Sequence, residues 1–106
     1  MAGTIVFASR AFWTASSSVF ALALEALIPM ISDLETHEVV VALSEGNVGL
    51  LDVEDLSPGG RVEVLQILAD GRHWESVQTM ITGGQEWIDA VEKPMAELSA
   101  LAAVAM

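Results

Sequence analysis

The chain has 106 residues, of which 15 are Asp or Glu and four are Lys or Arg, so its formal net charge is −11 at pH 7. A charge of this sign repels nucleic acid and anionic membranes and attracts basic proteins, which argues against nucleic acid as a ligand. There is no cysteine, so disulfides, thiolate metal sites and a cysteine nucleophile are excluded. The length fits one domain, residues 1–106, with a modest hydrophobic core.

Apolar residues make up 53% of the chain, more than the roughly 45–50% of an average soluble domain. Since a small domain has a limited interior, we expect a partner or a second copy to cover part of this surface. The most apolar stretch, residues 15–31, is shorter than the roughly 20 residues of a membrane span and contains Glu25 and Pro29. It predicts a buried helix in a cytoplasmic protein with no membrane partner.

The first third of the chain predicts a strand followed by a helix. The run from Thr4 to Ala8 is rich in strand-forming residues. Thr14 or one of the serines at positions 16–18 then supplies the N-cap hydroxyl of a helix whose apolar positions, from Val19 to Leu27, nearly encircle it. Pro29 ends that helix, because it disfavours helical angles in the residue before it.

A second helix is expected from the capping-box spacing of Ser32 and Glu35, in which each side chain accepts a hydrogen bond from the backbone N–H of the other residue. This helix should run to Glu45 and end at Gly46-Asn47, which supply left-handed geometry. Because valine favours strands, a strand from Glu38 to Leu43 is the alternative.

The second half of the chain predicts one more strand and further helices. Residues from Val48 to Glu54 alternate between apolar and acidic, as in a half-buried strand. Ser57 and Pro58 are typical of a helix N-cap and first helical position. Two more helical stripes follow, separated by Gly83-Gly84. The predicted fold is α+β and predominantly helical, with four to five helices and one or two short strands, near Thr4–Ala8 and Val48–Glu54; an all-α bundle is the alternative.

No catalytic or metal-binding constellation is predicted. The acids Asp52, Glu54 and Asp55 lack the third ligand and the glycine of a calcium-binding loop. His37 and His73 lack the spacing of a helical zinc site, and no serine stands in a Gly-x-Ser-x-Gly turn. We therefore expect no cofactor and no metal, and interpret the acids as surface groups.

The acids point instead to a basic protein partner. From Asp33 to Glu63, eight acids face only Arg61, which leaves a local charge of −7 (eight minus one). Tryptophan is a frequent anchor at interfaces, and two of the three tryptophans lie next to predicted element boundaries. The residues predicted to bind the partner are Asp52, Glu54, Asp55, Glu35, Glu38, Trp13 and Trp74.

In size, charge and lack of recognisable chemistry the chain is similar to small immunity proteins and antitoxins. The expected function is an acidic protein-binding module that neutralises a basic partner such as a secreted toxin. One alternative is a dimeric adaptor that pairs through the helix from Val19 to Leu27 and the carboxy-terminal helix. Another is a small enzyme whose site is built at a dimer interface, with His37 or His73 as the base.

Overall fold

The computed structural model describes residues 2–8 and 11–106. Five α-helices and a three-stranded sheet form in this part of the chain, which confirms the predominantly helical α+β fold and rules out the all-α alternative. The strands are β1 (Ala2–Ala8), β2 (Ala11–Ser16) and β3 (Leu50–Asp52), and the helices are α1 (Ser17–Leu27), α2 (Leu34–Glu45), α3 (Pro58–Ala69), α4 (Gly71–Met80) and α5 (Gln85–Ala105).

The sheet has β1 in the centre, antiparallel to β2 on one side and parallel to β3 on the other. Since side chains alternate along a strand, one face of the sheet carries the buried residues Ile5, Phe7, Trp13 and Leu51. The other face is open to solvent. There the hydroxyls of Thr4 and Thr14, which are paired in the ladder, lie 3.1 Å apart.

Strand β2 was not predicted from the sequence. The adjacent aromatic residues Phe12 and Trp13 interrupt the alternation of apolar and polar residues that is typical of a strand. In the structure, however, Phe12 is 62% exposed and Trp13 only 3%. Ser16, the last residue of β2, accepts a hydrogen bond from the N–H of Val19 and so caps α1. One of the predicted capping serines therefore also ends the strand.

Helix α1 lies in the middle of the molecule and contacts the sheet, α2 and α4. A single turn of 3₁₀ helix, Ile28–Met30, follows it and contains Pro29, as the proline predicts. Most apolar side chains of α1 pack against other elements of the same chain. They are therefore not available for the dimer contact that the adaptor alternative assigned to this helix. Six of its residues are buried: Val19, Phe20, Ala23, Leu24, Ala26 and Leu27.

Helix α2 begins one residue later than predicted, because the capping box does not form. Asp33 is the N-cap, and its carboxylate accepts from the N–H of Thr36 at 3.0 Å. The Ser32 hydroxyl instead donates to the carboxylate of Glu63 on α3. The helix continues to Glu45, so the alternative strand from Glu38 to Leu43 is wrong, and beyond it Asn47 takes the left-handed conformation at φ 53°.

The strand predicted from Val48 to Glu54 is shorter in the structure. Only Leu50–Asp52 pairs with β1, and Val53–Asp55 form a turn of 3₁₀ helix. The Asp52 carboxylate accepts from the N–H of Glu54 at 3.0 Å and so starts that turn. As predicted, Leu51 and Val53 are buried.

The last three helices close the core against the sheet. Ser57 caps α3, and Pro58 occupies its first turn, as predicted. Helix α5 packs against α3 and β2 and continues through Pro94. The indole N–H of Trp13 donates to the carbonyl oxygen of Pro94 at 2.9 Å, which ties β2 to α5. No helix in residues 2–8 and 11–106 is long and apolar enough to cross a membrane.

Candidate functional site

The carboxylates fall into two groups according to what they contact. Four are only partly exposed and accept hydrogen bonds that organise the backbone: Asp33, Asp52, Glu63 and Asp70. The other eleven of the fifteen are exposed. Within the described residues one ion pair forms, between Arg72 and Asp70 at 2.9 Å. Most of the carboxylates are therefore exposed and make no ion pair within the described residues.

One regular arrangement of these exposed acids is on α2. Glu35, Glu38 and Glu45 follow one another at spacings of three and seven residues and are all exposed. At 3.6 residues per turn they lie within an arc of about 80° and along about 15 Å of the helix. The buried residues of α2, Thr36 and Val40, face the core. We call these three glutamates the acidic row.

The helix itself gains little from the acidic row. Glu35 lies in the first turn, where the helix dipole favours a negative charge. Glu38 is three residues away and repels it, and Glu45 lies at the carboxy-terminal end, where the dipole disfavours an acid. Helix α2 contains no Lys or Arg to offset these charges.

Two further carboxylates hold the start of α2 and add to its negative charge. Glu63 Oε1 accepts from the N–H groups of Ser32 and Asp33, each at 2.9 Å. Hydrogen bonds from the Asp33 amide and the Ser32 hydroxyl lower the pKa of Glu63. The Thr36 hydroxyl and amide likewise lower the pKa of Asp33. Both groups are thus held in the charged form.

Apolar side chains flank the acidic row on the same helix. Leu34 is 73% exposed and Val39 is 40% exposed. On the helical wheel they lie at the two edges of the arc occupied by the glutamates. The outer face of α2 therefore combines negative charge with exposed apolar surface.

The other predicted acids lie elsewhere. Asp52, Glu54 and Asp55 belong to β3 and the 3₁₀ turn after it, where the guanidinium of Arg61 donates through Nη2 to the Glu54 carbonyl oxygen at 2.9 Å. No hydrogen bond in the described part of the chain joins this turn to Glu35 or Glu38. Nor do any three acidic or histidine side chains there come together as a metal site.

The tryptophans differ from the expectation. Trp13 was named among the residues predicted to bind the partner, but its ring is only 3% exposed, because it packs in the core and its indole N–H donates to the carbonyl oxygen of Pro94. Trp74 is half-buried against the core. The most exposed tryptophan is Trp87, at 43%. It packs on Gly83, where an added Cβ would lie 2.0 Å from the indole ring.

The two histidines are also placed differently from one another. His73 is 3% exposed, and its Nε2 lies 3.0 Å from the carbonyl oxygen of Ala23 on α1. Because a carbonyl only accepts, Nε2 carries the proton, and burial lowers the pKa of the ring. His73 lines a cleft of about 220 Å³ with Asp70 and Glu92, but neither carboxylate bonds to it. His37 is partly exposed on α2.

Sequence reasoning found two members of the acidic row and missed the third. Glu45 was predicted only as the end of the helix, and Leu34 and Val39 were not among the residues predicted to bind the partner. The signal was present in the spacing: once α2 is accepted as a helix, positions 35, 38 and 45 fall on one side of it. This arrangement was not recognised because a strand from Glu38 to Leu43 was the alternative prediction.

No protein family model, no curated protein and no solved structure matches the chain.

Proposed function

We propose that this chain is a protein-binding module that binds a basic partner through the outer face of α2. The observation that carries the proposal is the acidic row: three exposed glutamates on one side of a helix that has no Lys or Arg. The fold does not require this arrangement, because only Glu35 is favoured by the helix dipole.

The partner is expected to be positively charged at the surface that meets α2. Exposed charges of one sign accelerate encounter with a partner of the opposite sign and reject acidic competitors. Leu34 and Val39 then supply apolar area that is removed from water on contact. A toxin that binds nucleic acid through a cationic face has a surface of this kind. The specific form of the proposal is therefore an immunity or antitoxin role.

The turn with Asp52, Glu54 and Asp55 is a second contact region under the same proposal, and Trp74 a third. The acids of the turn are close to one cation, Arg61, whereas the acidic row has none on its helix. Reversing charge on α2 should therefore affect binding more than reversing it in the turn.

The test compares two triple variants with the same change in net charge. The α2 variant replaces Glu35, Glu38 and Glu45 with Lys. The α5 variant replaces three exposed residues of that helix with Lys: Glu86, Glu92 and Glu97. The wild-type chain first captures basic proteins from the source cell at low salt. The association rate of each captured protein with both variants is then measured at several salt concentrations.

We expect the α2 variant to associate about tenfold more slowly or worse, and the α5 variant to associate at a rate much closer to that of wild type. The wild-type rate should fall steeply as salt is added. Equal slowing in the two variants would show that only net charge matters. An α2 variant that associates as fast as wild type would contradict the proposed surface.

A further inference from the structure

The amino-terminal hairpin is the acid-free part of a strongly acidic chain. All fifteen carboxylates lie at or after Glu25, so residues 1–24 contain none. Strands β1 and β2 themselves, Ala2–Ala8 and Ala11–Ser16, carry no charged side chain. Strands β1 and β2 therefore contribute no carboxylate of their own to the sheet.

Strand β2 is an open edge of the sheet. It pairs with β1 on one side, and no strand in the described part of the chain pairs with its other side. Apart from the bonds to β1, no backbone hydrogen bond joins residues 11–15 to a turn, a loop or a helix cap in the described part of the chain. An unpaired strand edge is a template for another strand, and proteins often protect it with Lys, Pro or a bulge. Strand β2 contains no Lys or Pro, and the irregular register lies in β1, between Val6 and Ala8.

The opposite edge of the sheet is protected. Strand β3 has only three residues, includes Asp52, and runs directly into a 3₁₀ turn that carries two more acids. Pairing β2 of one copy with β3 of another would place these acids at the contact and would continue without limit. Pairing β2 with β2 avoids the acids and closes after two copies.

We propose that two copies of this chain pair through β2, antiparallel and about a twofold axis, so that their three-stranded sheets join into one. A second copy fits this edge because two chains of charge −11 repel each other elsewhere, whereas the hairpin presents no carboxylate. A twofold axis perpendicular to the sheet keeps both buried faces on the same side. Phe12, which is 62% exposed beside Val6 on the open face, then lies at the junction and loses exposed surface in the pair.

The dimer should be weak and should strengthen with salt. Six-residue strands and a few side chains bury less than the roughly 1,200–2,000 Å² of a standard interface. The net charge of each chain opposes association, and added salt screens that repulsion. The salt dependence is therefore opposite in sign to that expected for binding of a basic partner through α2, so the two proposals are tested separately.

The experiment is sedimentation equilibrium on the purified chain alone, from about 20 µM to about 1 mM, the range for a weak complex, at low and high salt. We expect the average mass to rise from that of one chain towards that of two, more steeply at high salt. In parallel, amide NMR signals of residues 11–16 should shift with concentration while those of α2 do not. A single-chain mass throughout, or shifts confined to other elements, would overturn the proposal.

The matched variants are Phe12→Glu and Leu34→Glu, which add the same charge at two highly exposed positions, 62% and 73%. Since neither side chain is buried, both variants should fold, which circular dichroism and the dispersion of NMR signals check. We expect Phe12→Glu to weaken dimerisation about tenfold or more, equivalent to about 1.4 kcal/mol, and Leu34→Glu to change it far less. Equal weakening in both would assign the effect to net charge and overturn the role of β2.

Discussion

The β1–β2 hairpin and helix α2 are held in the fold by different means. The strands of the hairpin carry no charged side chain and contribute Ile5, Phe7 and Trp13 to the core. Helix α2 has only Thr36 and Val40 fully buried, and its start is fastened by hydrogen bonds to Glu63 and Asp33.

Packing therefore fixes one region, and polar contacts fix much of the other. Segments with few buried apolar contacts open locally at a lower free-energy cost. The element that carries the acidic row is thus expected to adjust to a partner more readily than the sheet does.

The largest effect should come from removing Trp13. Its ring is 3% exposed and its indole N–H bonds to Pro94. We expect Trp13→Ala to lower the free energy of unfolding by about 3–5 kcal/mol, since it leaves a large cavity and removes the hydrogen bond to Pro94. Urea unfolding measures the loss. Trp87→Ala, at a ring that is 43% exposed, is the control and should cost much less; similar losses in both would contradict a packing-dominated hairpin.

A smaller effect with a change of sign is expected at two adjacent glycines of α3. An added Cβ at Gly60 would lie 1.9 Å from Oγ1 of Thr36, so α2 and α3 touch here, whereas Gly59 has nothing within 4 Å. We expect Gly60→Ala to destabilise the fold by about 1–3 kcal/mol through overpacking. Gly59→Ala should stabilise it by up to about 1 kcal/mol through helix propensity.

Thermal or urea unfolding of the two glycine variants gives the comparison directly, because the same methyl group is added to neighbouring residues. If Gly59→Ala and Gly60→Ala both stabilised the fold, Thr36 of α2 would not pack closely against α3.

The smallest effect concerns Glu63 and its dependence on pH. Hydrogen bonds from the Asp33 amide and the Ser32 hydroxyl lower the pKa of Glu63 in the folded state below its ordinary value of 4.5. The stabilisation is therefore complete above that value and is lost as the pH falls through the folded-state pKa. Glu63→Gln should cost about 1 kcal/mol at pH 7, a modest figure because the contact is largely solvated.

The difference in unfolding free energy between wild type and Glu63→Gln should shrink as the pH is lowered towards 3. A difference that stays constant over this range would mean that the charge of Glu63 has no part in fastening α2. Glu97→Gln, on the exposed face of α5, is the control.

Local signals in the sequence predicted most of the helices. Ser57 and Pro58 start α3 as expected, and Asn47 lies beyond the end of α2 in the expected left-handed conformation. These features depend on neighbouring residues, which a sequence displays directly. The same holds for Leu51 and Val53, whose alternation with acids indicated their burial.

The errors occurred where distant residues decide the outcome. The capping box of Ser32 and Glu35 fails because Glu63, 31 residues further along the chain, takes the Ser32 hydroxyl. Trp13 is buried because α5 lies across β2 and supplies the Pro94 carbonyl. Neither contact has a local signature, so residue types alone could not show that Trp13 is unavailable to a partner.

The parallel pairing of β1 with β3 also has a consequence for the order in which the chain folds. Hairpin β1–β2 closes over a few residues, whereas Thr4 meets Leu50 only after α1 and α2 have been placed between them. Closing a long loop costs conformational entropy before the contacts that offset this cost can form. Pairings between residues far apart in the sequence therefore slow folding. Docking of the short third strand is therefore expected to be the late event, with low φ-values at Leu51 and higher ones at Ile5.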